Sequence, residues 1–326
     1  MTCGGVKNPD AAVRAWSELR AGGAEPTRVE TLKDRNASHV YRLAGAGPNG
    51  SSVVAKHCLQ TGAVVERTIY EQVLSSLTVR SPRYYGLVEE RGTHFCWMFV
   101  EDAAGVPYSP IDAGHGRLAA EWLAGLHTRA QAPGRALALP ERGPTLYLGC
   151  LRSGRDRIRR CLSNPALSDN DRDTLLVIVE QCDAAEACWP RLAACCGEVS
   201  PTFVHADLHA KNIHVSPDGS ALLPFDWESA GWGPPAIDLG LSGLDLQAYW
   251  LSVHCARPEL EPGLLKELAA AGRLFQLLAH IEWEASGLAS PWLHRPMKHM
   301  RYYLAEMTEA LRAAQALGGS LGVDHP

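Results

Sequence analysis

Residues 202–228 read TFVHADLHAKNIHVSPDGSALLPFDWE, and this is the most informative part of the sequence. The apolar runs TFV, IHVS and SALLPF predict three short strands, the last two joined by a Pro-Asp-Gly turn. Asp207, Asn212 and Asp226 then lie in the polar loop or at strand ends. Two carboxylates and an amide oxygen directed by one hairpin suit Mg²⁺ binding and the orientation of a nucleophilic hydroxyl.

The same residues resemble the motif of the aminoglycoside phosphotransferase and choline kinase family, which comprises small-molecule kinases with a protein-kinase-like fold. The family pattern is HxDxxxxN, then a hydrophobic strand, then D-W-E. This chain supplies His205, Asp207 and Asn212, then Asp226-Trp227-Glu228, Gly233-Pro234-Pro235 and Asp238-Leu239. The resemblance covers about residues 28–310.

The resemblance implies a role for each motif residue. Asp207 is expected to be the catalytic acid-base residue that orients the acceptor hydroxyl and takes its proton, with His205 bracing the loop. Asn212 and Asp226 are expected to bind Mg²⁺, which bridges the phosphates of ATP or GTP. Phosphoryl transfer needs mainly such placement and charge neutralisation from the protein.

Two other interpretations of these side chains were weighed. Carboxylates in loops commonly cap helices or close turns, and we assign that role to Asp218 in the Pro-Asp-Gly turn. His205, Asp207 and His209 alternate in a way that a transition-metal site would use, but no fourth ligand lies nearby. The catalytic role is therefore favoured for Asp207, and magnesium binding is favoured for Asp226.

A kinase-like site also needs a lysine on a strand to hold the nucleotide phosphates. Lys56 lies in the apolar run SVVAKHCL and is the only lysine between residues 34 and 210. A buried ammonium needs an anionic partner. In the following helix, Glu66 falls within the apolar stripe, whereas Glu71 falls on the opposite face. We therefore predict an ion pair between Lys56 and Glu66.

Two further segments are expected to contact the nucleotide. The loop between the first two strands carries Asn36 and Ser38, which offer donors to a phosphate although the loop lacks the glycines of protein kinases. A plain β-turn is an equal alternative there. By resemblance, backbone groups near Phe99 to Glu101, after the strand HFCWMFV, would receive the purine.

The order of the predicted elements indicates an α+β, two-lobed protein-kinase-like fold. Residues 1–100 form a β-rich nucleotide-binding lobe with one inserted helix over 62–77, and residues 101–106 form a hinge. Residues 107–326 form a mostly helical lobe that carries the catalytic loop and the acceptor site. A strand-rich third followed by a helix-rich remainder favours two unlike lobes.

The acceptor site is the least informative part of the sequence. Cationic acceptors would meet acidic and aromatic side chains near the C-terminal helices. The candidates for this site are Glu228, Asp245, Glu282, Trp283 and Glu284. An equally good interpretation is that Glu282 and Glu284 are solvated positions of an ordinary helix.

Composition narrows the class of protein. The 326 residues carry a net charge of −5 and no basic block, so a nucleic-acid partner is not expected. No signal peptide or membrane span is recognisable, which predicts a cytoplasmic protein whose ten cysteines are reduced. Only eleven residues separate Asp226 from Asp238, too few for a protein-kinase activation loop, so no protein substrate is expected.

Three functions remain in competition. The first is an O-phosphotransferase acting on an aminoglycoside or a similar hydroxylated antibiotic, as in antibiotic resistance. The second is a metabolic kinase of the same fold, acting on choline, ethanolamine, homoserine or a sugar. The third is a nucleotide-binding pseudokinase, which the intact set of Lys56, Asp207, Asn212 and Asp226 disfavours.

Overall fold

The structure is a computed structural model that describes residues 9–21, 23–35, 38–129 and 138–316. It divides into two compact units. The first unit comprises residues 1–109 and 209–230, and the second comprises residues 110–208 and 231–326. The hairpin at 209–230 thus packs with the N-terminal residues, whereas the sequence places it in the second lobe. The lobe boundaries themselves remain a prediction.

An antiparallel five-stranded sheet forms the body of the first unit, in the order β1-β2-β3-β5-β4. The strands are β1 (Arg28–Arg35), β2 (Ser38–Ala44), β3 (Val53–Leu59), β4 (Tyr84–Glu89) and β5 (Phe95–Glu101). The predicted strand runs SVVAKHCL and HFCWMFV coincide with β3 and β5, which are rich in β-branched and aromatic residues. Asn49 and Gly50, between β2 and β3, have φ angles of 56° and 75°, as a tight turn at Pro48-Asn49-Gly50 requires.

Helix α1 (Pro9–Leu19) covers one face of this sheet. Trp16, which is 3% exposed, packs edge-on against Tyr85 and tilted against Phe99, at 5.6 and 5.2 Å between ring centroids. A buried side chain of this size contributes roughly 1.5–3 kcal/mol by leaving water. The helix therefore completes the core behind β5.

Helix α2 (Gln60–Thr68) follows β3, and its last turns change type. A wider π turn spans Ile69–Val73, and a 3₁₀ turn spans Leu74–Ser76. Glu66 is buried on the face that packs inward, while Glu71 points outward and accepts from Arg67 at 3.1 Å. The helical periodicity thus distinguished the two glutamates correctly.

The hairpin of the first unit is formed by β8 (Ile213–Val215) and β9 (Leu222–Pro224), with β6 (Val106–Pro107) beside β8. Asp218 accepts from the hydroxyls of Ser216 and Ser220 at 2.5 and 2.7 Å. These hydrogen bonds lower the pKa of Asp218 to about 2. The interpretation of Asp218 as a turn residue is therefore confirmed.

The second unit is mostly helical. Its helices are α3 (Ala113–Arg129), α4 (Pro144–Cys161), α5 (Asp169–Ala187), α6 (Trp189–Gly197), α7 (Ala236–Leu239), α8 (Leu246–Val253), α9 (Pro262–Ala285) and α10 (His294–Ala316). The paired strands β7 (Thr202–Val204) and β10 (Gly231–Gly233) complete it. Residues 170–196, which the sequence pattern indicates to be helical, form the two helices α5 and α6, and Pro190 lies in the first turn of α6, where its missing N–H is tolerated.

The crossing of α7 and α9 depends on two glycines. A Cβ atom added to Gly272 would lie 1.7 Å from the Ala236 carbonyl oxygen, and one added to Gly240 would lie 2.5 Å from the Arg273 nitrogen. Both distances are impossible for a side chain, so α7 lies directly against the backbone of α9. This contact fixes the position of Asp238, which lies in α7.

The described residues lack a membrane-spanning helix, and their cysteines are unpaired. No helix within the described ranges is both long enough and apolar enough to cross a bilayer. The nine cysteines of the same ranges are all free thiols.

Candidate active site

Lys56 is the centre of a charged cluster in the first unit. Its Nζ lies 3.0 Å from Glu66 Oε2 and 3.4 Å from Glu228 Oε2, and it also donates to Asp226 Oδ1. The side chains of Lys56 and Glu66 are 12% and 4% exposed. The predicted Lys56–Glu66 pair is thus present, and Asp226 joins it.

The electrostatics of this cluster follow from burial and from three carboxylates around one ammonium. Burial opposes the charge on Lys56, but Glu66, Asp226 and Glu228 raise its pKa well above the usual value. Burial raises the pKa of Glu66, and the Lys56 charge opposes that shift. Three carboxylates facing one lysine leave a surplus of negative charge, which suits an additional cation.

Glu66 also orders the backbone beyond β9. Its second oxygen accepts from the Trp227 N–H at 3.4 Å. The preceding residue, Asp226, has a φ of 69°, a left-handed conformation that costs a residue other than glycine roughly 1–2 kcal/mol. This bend directs the side chain of Asp226 to Lys56. The Glu66 contact to the Trp227 N–H and the Lys56 contact to the Asp226 carboxylate together hold this bend in place.

Asn212 lies at the same end of the hairpin as Asp226. The Phe225 N–H donates to the Asn212 carbonyl at 3.0 Å, so the residues before β8 and after β9 are neighbours. Asn212 is 4% exposed. An amide oxygen and a carboxylate at one hairpin end are ligands that Mg²⁺ accepts.

The other residues expected to contact nucleotide lie in the five-stranded sheet. Ser38 begins β2, and within the part of the chain that the structure describes its buried hydroxyl has no hydrogen-bond partner. Asn36 lies outside the described residues. Phe99 is fully buried in β5, and the Glu101 N–H donates to the Arg83 carbonyl at 2.7 Å. That amide is therefore already used inside the sheet.

In the second unit, Asp238 holds the backbone that leads to Asp207. The carboxylate of Asp238, which is fully buried, accepts from the N–H of His205 at 2.8 Å and of Ala206 at 2.9 Å. Ala206 has a φ of 63°, another left-handed residue that is not glycine. Hydrogen bonds to a carboxylate are about twice as strong as neutral ones, so they stabilise this bend.

His127 connects Asp238 to helix α8. Its Nε2 lies 3.3 Å from Asp238 Oδ2, and its Nδ1 lies 2.9 Å from the Tyr249 hydroxyl. Burial lowers the pKa of His127, although Asp238 opposes this shift. A neutral imidazole that donates from Nε2 and accepts from the tyrosine satisfies all three groups, which agrees with a structural role for His127.

Two side chains brace the loop from other directions. His205 is fully buried and its Nδ1 accepts from the Asp207 N–H at 3.4 Å. Gln276 of α9, also buried, donates to the carbonyls of Leu208 and Ile237 at 3.3 and 3.0 Å. The backbone on both sides of Asp207 is therefore anchored within the second unit.

The side chain of Asp207 meets one partner from α9. Its Oδ1 lies 3.6 Å from His280 Nε2, and each side chain is 26% exposed. The side chain of Asp207 is thus partly accessible to solvent, although hydrogen bonds anchor the neighbouring backbone. A partly exposed carboxylate on an anchored backbone has the properties that a proton acceptor requires.

Of the five predicted acceptor residues, Glu228 belongs to the first unit and the other four belong to the second. Glu228 belongs to the Lys56 cluster, and Asp245 caps α8 by accepting from the Ala248 N–H at 2.9 Å. Glu282 lies 3.3 Å from Arg157, and Glu284 lies 2.8 Å from His299. Trp283 is 71% exposed. The acidic groups thus have structural partners of their own.

Sequence reasoning missed several residues around Asp207. Asp238 was quoted in the motif, yet its role was not recognised, and neither Gln276 nor His280 was identified. A buried polar residue inside an apolar helix face was the available clue for Gln276. Nothing local distinguishes His280, because its partner lies more than seventy residues away in the sequence.

Comparison with known proteins identifies the family of the chain. Residues 37–270 match the model of the phosphotransferase enzyme family, which is more than half of the chain. A comparison with curated protein sequences returned no match.

Solved structures share the fold. A spectinomycin phosphotransferase in complex with ADP and spectinomycin superposes with a TM-score of 0.61 at 11% identity, covering 94% of this chain and 98% of that one. Choline kinase from Cryptosporidium parvum gives 0.62 at 11% identity, with 90% of each chain covered. An aminoglycoside 2′-phosphotransferase in complex with GDP gives 0.59 at 15% identity, covering 97% and 99%.

These likenesses confirm the predicted α+β fold of the small-molecule kinases. The match of the family model extends from the second strand to the middle of α9, so it includes the Lys56 cluster and the backbone that carries Asp207. The predicted enzyme class, a phosphotransferase with an alcohol group as acceptor, is confirmed at the level of the family. The chain belongs to the phosphotransferase enzyme family.

Proposed function

We propose that this enzyme transfers the γ-phosphoryl group of ATP or GTP to a hydroxyl group of an aminoglycoside or a similar hydroxylated antibiotic. The observation that carries the proposal is the Lys56 cluster, in which one buried lysine is held by Glu66 and Asp226. The complexes of similar structures with ADP and with GDP support a nucleotide donor.

In the first unit, Lys56 would bind the phosphates of the donor, and Glu66 would keep the ammonium in place. The Ser38 hydroxyl is a further donor for a phosphate oxygen. Asn212 and Asp226 would hold Mg²⁺, whose charge would offset that of the phosphates when it is bound. The donor set fits this ion, because both ligands are hard oxygens and the cluster has surplus negative charge.

In the second unit, Asp207 would accept the proton of the acceptor hydroxyl. The acceptor oxygen forms a bond to the γ-phosphorus as the bond from that phosphorus to the β-phosphate oxygen breaks. The products are the phosphorylated acceptor and a nucleoside diphosphate, with the proton on Asp207. Asp238, His205 and Gln276 contribute by holding the backbone around this carboxylate.

The choice of acceptor is supported by the phosphotransferases whose structures this chain resembles. Similar structures include enzymes named for spectinomycin and for aminoglycosides. A metabolic kinase acting on choline or a related small metabolite is the second candidate, because choline kinase is equally similar in fold.

A panel assay tests the proposal. Purified enzyme is supplied with ATP or GTP and Mg²⁺, and nucleoside diphosphate release is measured with aminoglycosides, other hydroxylated antibiotics, choline, ethanolamine, homoserine and sugars. Mass spectrometry of the acceptor identifies a phosphorylated product. Turnover only with metabolites would favour the second candidate, and nucleotide binding without any turnover would indicate a pseudokinase.

Two variants test the assigned roles. Asp207→Asn should bind nucleotide nearly normally but lose roughly 10²-fold or more in turnover, because a positioned proton acceptor is removed. Asp226→Ala should abolish Mg²⁺-dependent use of nucleotide. Wild-type turnover by Asp207→Asn, or an unchanged Mg²⁺ response in Asp226→Ala, would refute the corresponding role.

A further inference from the structure

We propose that His280 is a positioning residue for Asp207, whose imidazole engages one carboxylate oxygen and so leaves the other directed at the acceptor hydroxyl. This inference rests on the proposed function, because it assigns His280 a role in the step that Asp207 performs. His280 lies on α9, far from the motif in sequence.

The contact itself is the first support. His280 Nε2 lies 3.6 Å from Asp207 Oδ1, slightly beyond hydrogen-bond length, and the two side chains are equally and only partly exposed. Polar contacts of catalytic groups are often long without substrate and shorten in the reacting complex. A small rotation of the carboxylate would bring Oδ1 within hydrogen-bond reach of the imidazole.

The His280 ring is itself held in place by α10. It stacks on Tyr303, with 5.7 Å between ring centroids and 23° between planes. Tyr303 in turn contacts the ring of His299, whose Nδ1 lies 2.8 Å from Glu284 Oε1. Burial, together with Glu284 and Tyr302, raises the pKa of Tyr303 to about 12, so its phenol stays neutral beside the imidazole.

Different residues thus hold the backbone around Asp207 and contact its side chain. Asp238 and Gln276 anchor the neighbouring backbone, but neither contact restricts rotation of the carboxylate about its own bonds. A contact to one oxygen of the carboxylate limits this rotation. Since misplacement of a reacting group lowers rate steeply, a partner for one oxygen is expected to raise kcat rather than affinity.

The test compares four single variants in two matched pairs. His280→Phe keeps a ring against Tyr303 but removes the donor, and His280→Gln keeps a donor without the ring. Tyr303→Phe keeps the stacked ring, and Tyr303→Leu removes it. Each variant is assayed for phosphorylation of the acceptor. A second assay, without acceptor, measures the slow hydrolysis of nucleotide by water. Thermal unfolding checks that each variant is folded.

We expect His280→Phe to lower kcat by about tenfold with an unchanged KM for nucleotide, and His280→Gln to recover most of that loss. Tyr303→Phe should resemble the wild type, and Tyr303→Leu should show part of the His280→Phe defect. Because His280 acts through Asp207, adding His280→Phe to Asp207→Asn should produce little further loss.

Two results would overturn the proposal: wild-type kcat in His280→Phe, or a loss of the same size in the Asp207→Asn background as in the wild type. If His280→Phe does not fold, His280→Leu replaces it in the same cycle. Absence of turnover with every acceptor would refute the proposed function instead. The role of His280 is then decided by the same variants in the hydrolysis assay, where equal rates for wild type and His280→Phe would exclude it.

Discussion

The Asp238 carboxylate accepts the backbone N–H of Ala206 at 2.9 Å, immediately before Asp207 in the chain. Ala206 is in the left-handed conformation, which an alanine adopts only when surrounding contacts enforce it. The contact therefore compensates for backbone strain at the point that decides where the side chain of Asp207 lies.

Asp238→Asn is expected to damage both stability and turnover. The new amide would keep one acceptor oxygen but place an NH₂ group against a backbone N–H, leaving buried donors without an acceptor. We expect a loss of about 2–4 kcal/mol in the free energy of unfolding and a fall in kcat of roughly 10–100-fold. Urea unfolding and steady-state kinetics measure the two effects.

Asp218→Asn is the matched control for this change. Asp218 also accepts several hydrogen bonds, but it is a solvent-exposed turn residue, so the loss should stay within about 1 kcal/mol and kcat should not change. Similar effects of the two substitutions would contradict the role assigned to Asp238.

Stability should depend on pH through His127. Its pKa is lowered in the folded protein, so between that value and the unfolded value of about 6.5 only the unfolded chain binds the proton. The contribution of neutral His127 to the free energy of unfolding is therefore fully present above about pH 6.5. It decreases as pH falls, by up to about 1.4 kcal/mol per pH unit.

Urea unfolding of wild type and His127→Gln between pH 7.5 and pH 5 isolates this contribution. The stability difference between the two proteins should shrink as the pH falls. Parallel stability curves over this range would show that the imidazole does not titrate with folding.

Lys56 and Glu66 should be strongly coupled. Lys56→Met leaves Glu66 buried without its cation, so we expect a loss of about 3 kcal/mol and at least a tenfold rise in KM for nucleotide. Adding Glu66→Gln should restore about 1 kcal/mol or more of stability but not the nucleotide affinity.

The exposed pair Arg67–Glu71 on the same helix provides the control cycle. A solvent-exposed pair spaced four residues apart contributes about 0.3–0.5 kcal/mol. A coupling energy for Lys56 and Glu66 no larger than this value would argue against a buried, functional pair.

Two glycine substitutions should change the free energy of unfolding in opposite directions. Gly272→Ala places a Cβ against the Ala236 carbonyl, so α7 must move, and we expect a loss of about 1–3 kcal/mol or more together with lower kcat. Gly149→Ala, on an exposed turn of α4 with no atom within 4 Å, should instead gain about 0.5–1 kcal/mol.

Thermal and urea unfolding of the two glycine variants distinguish these effects. Wild-type stability and activity in Gly272→Ala would show that α7 and α9 are not held as closely as the structure has them. A destabilised Gly149→Ala would mean that helix propensity does not govern this exposed position.

Much of the fold was accessible from local patterns. All five strands of the first sheet, α2 and the 213–224 hairpin follow from residue type and periodicity, and Glu66 was distinguished from Glu71 by its place on the helix. The sequence also indicates the break between α5 and α6, since the proline at position 190 favours the first turn of a new helix. Helix α4 was not predicted, although Tyr147, Leu151 and Ile158 recur at helical spacing on its buried face, because most of its other residues are polar.

The amino-acid sequence alone predicts Asp207, Asn212 and Asp226 as the chemical groups of the site, because their spacing around a hairpin is a local property of the chain. Tertiary structure decided how those residues are held. Asp238, Gln276 and His280 reach the loop from helices distant in sequence, and only packing, such as the contact of α7 with α9 at Gly272, brings them there. Burial lowers the pKa of His127 and raises that of Glu66, and desolvation depends on neighbours that no local pattern specifies.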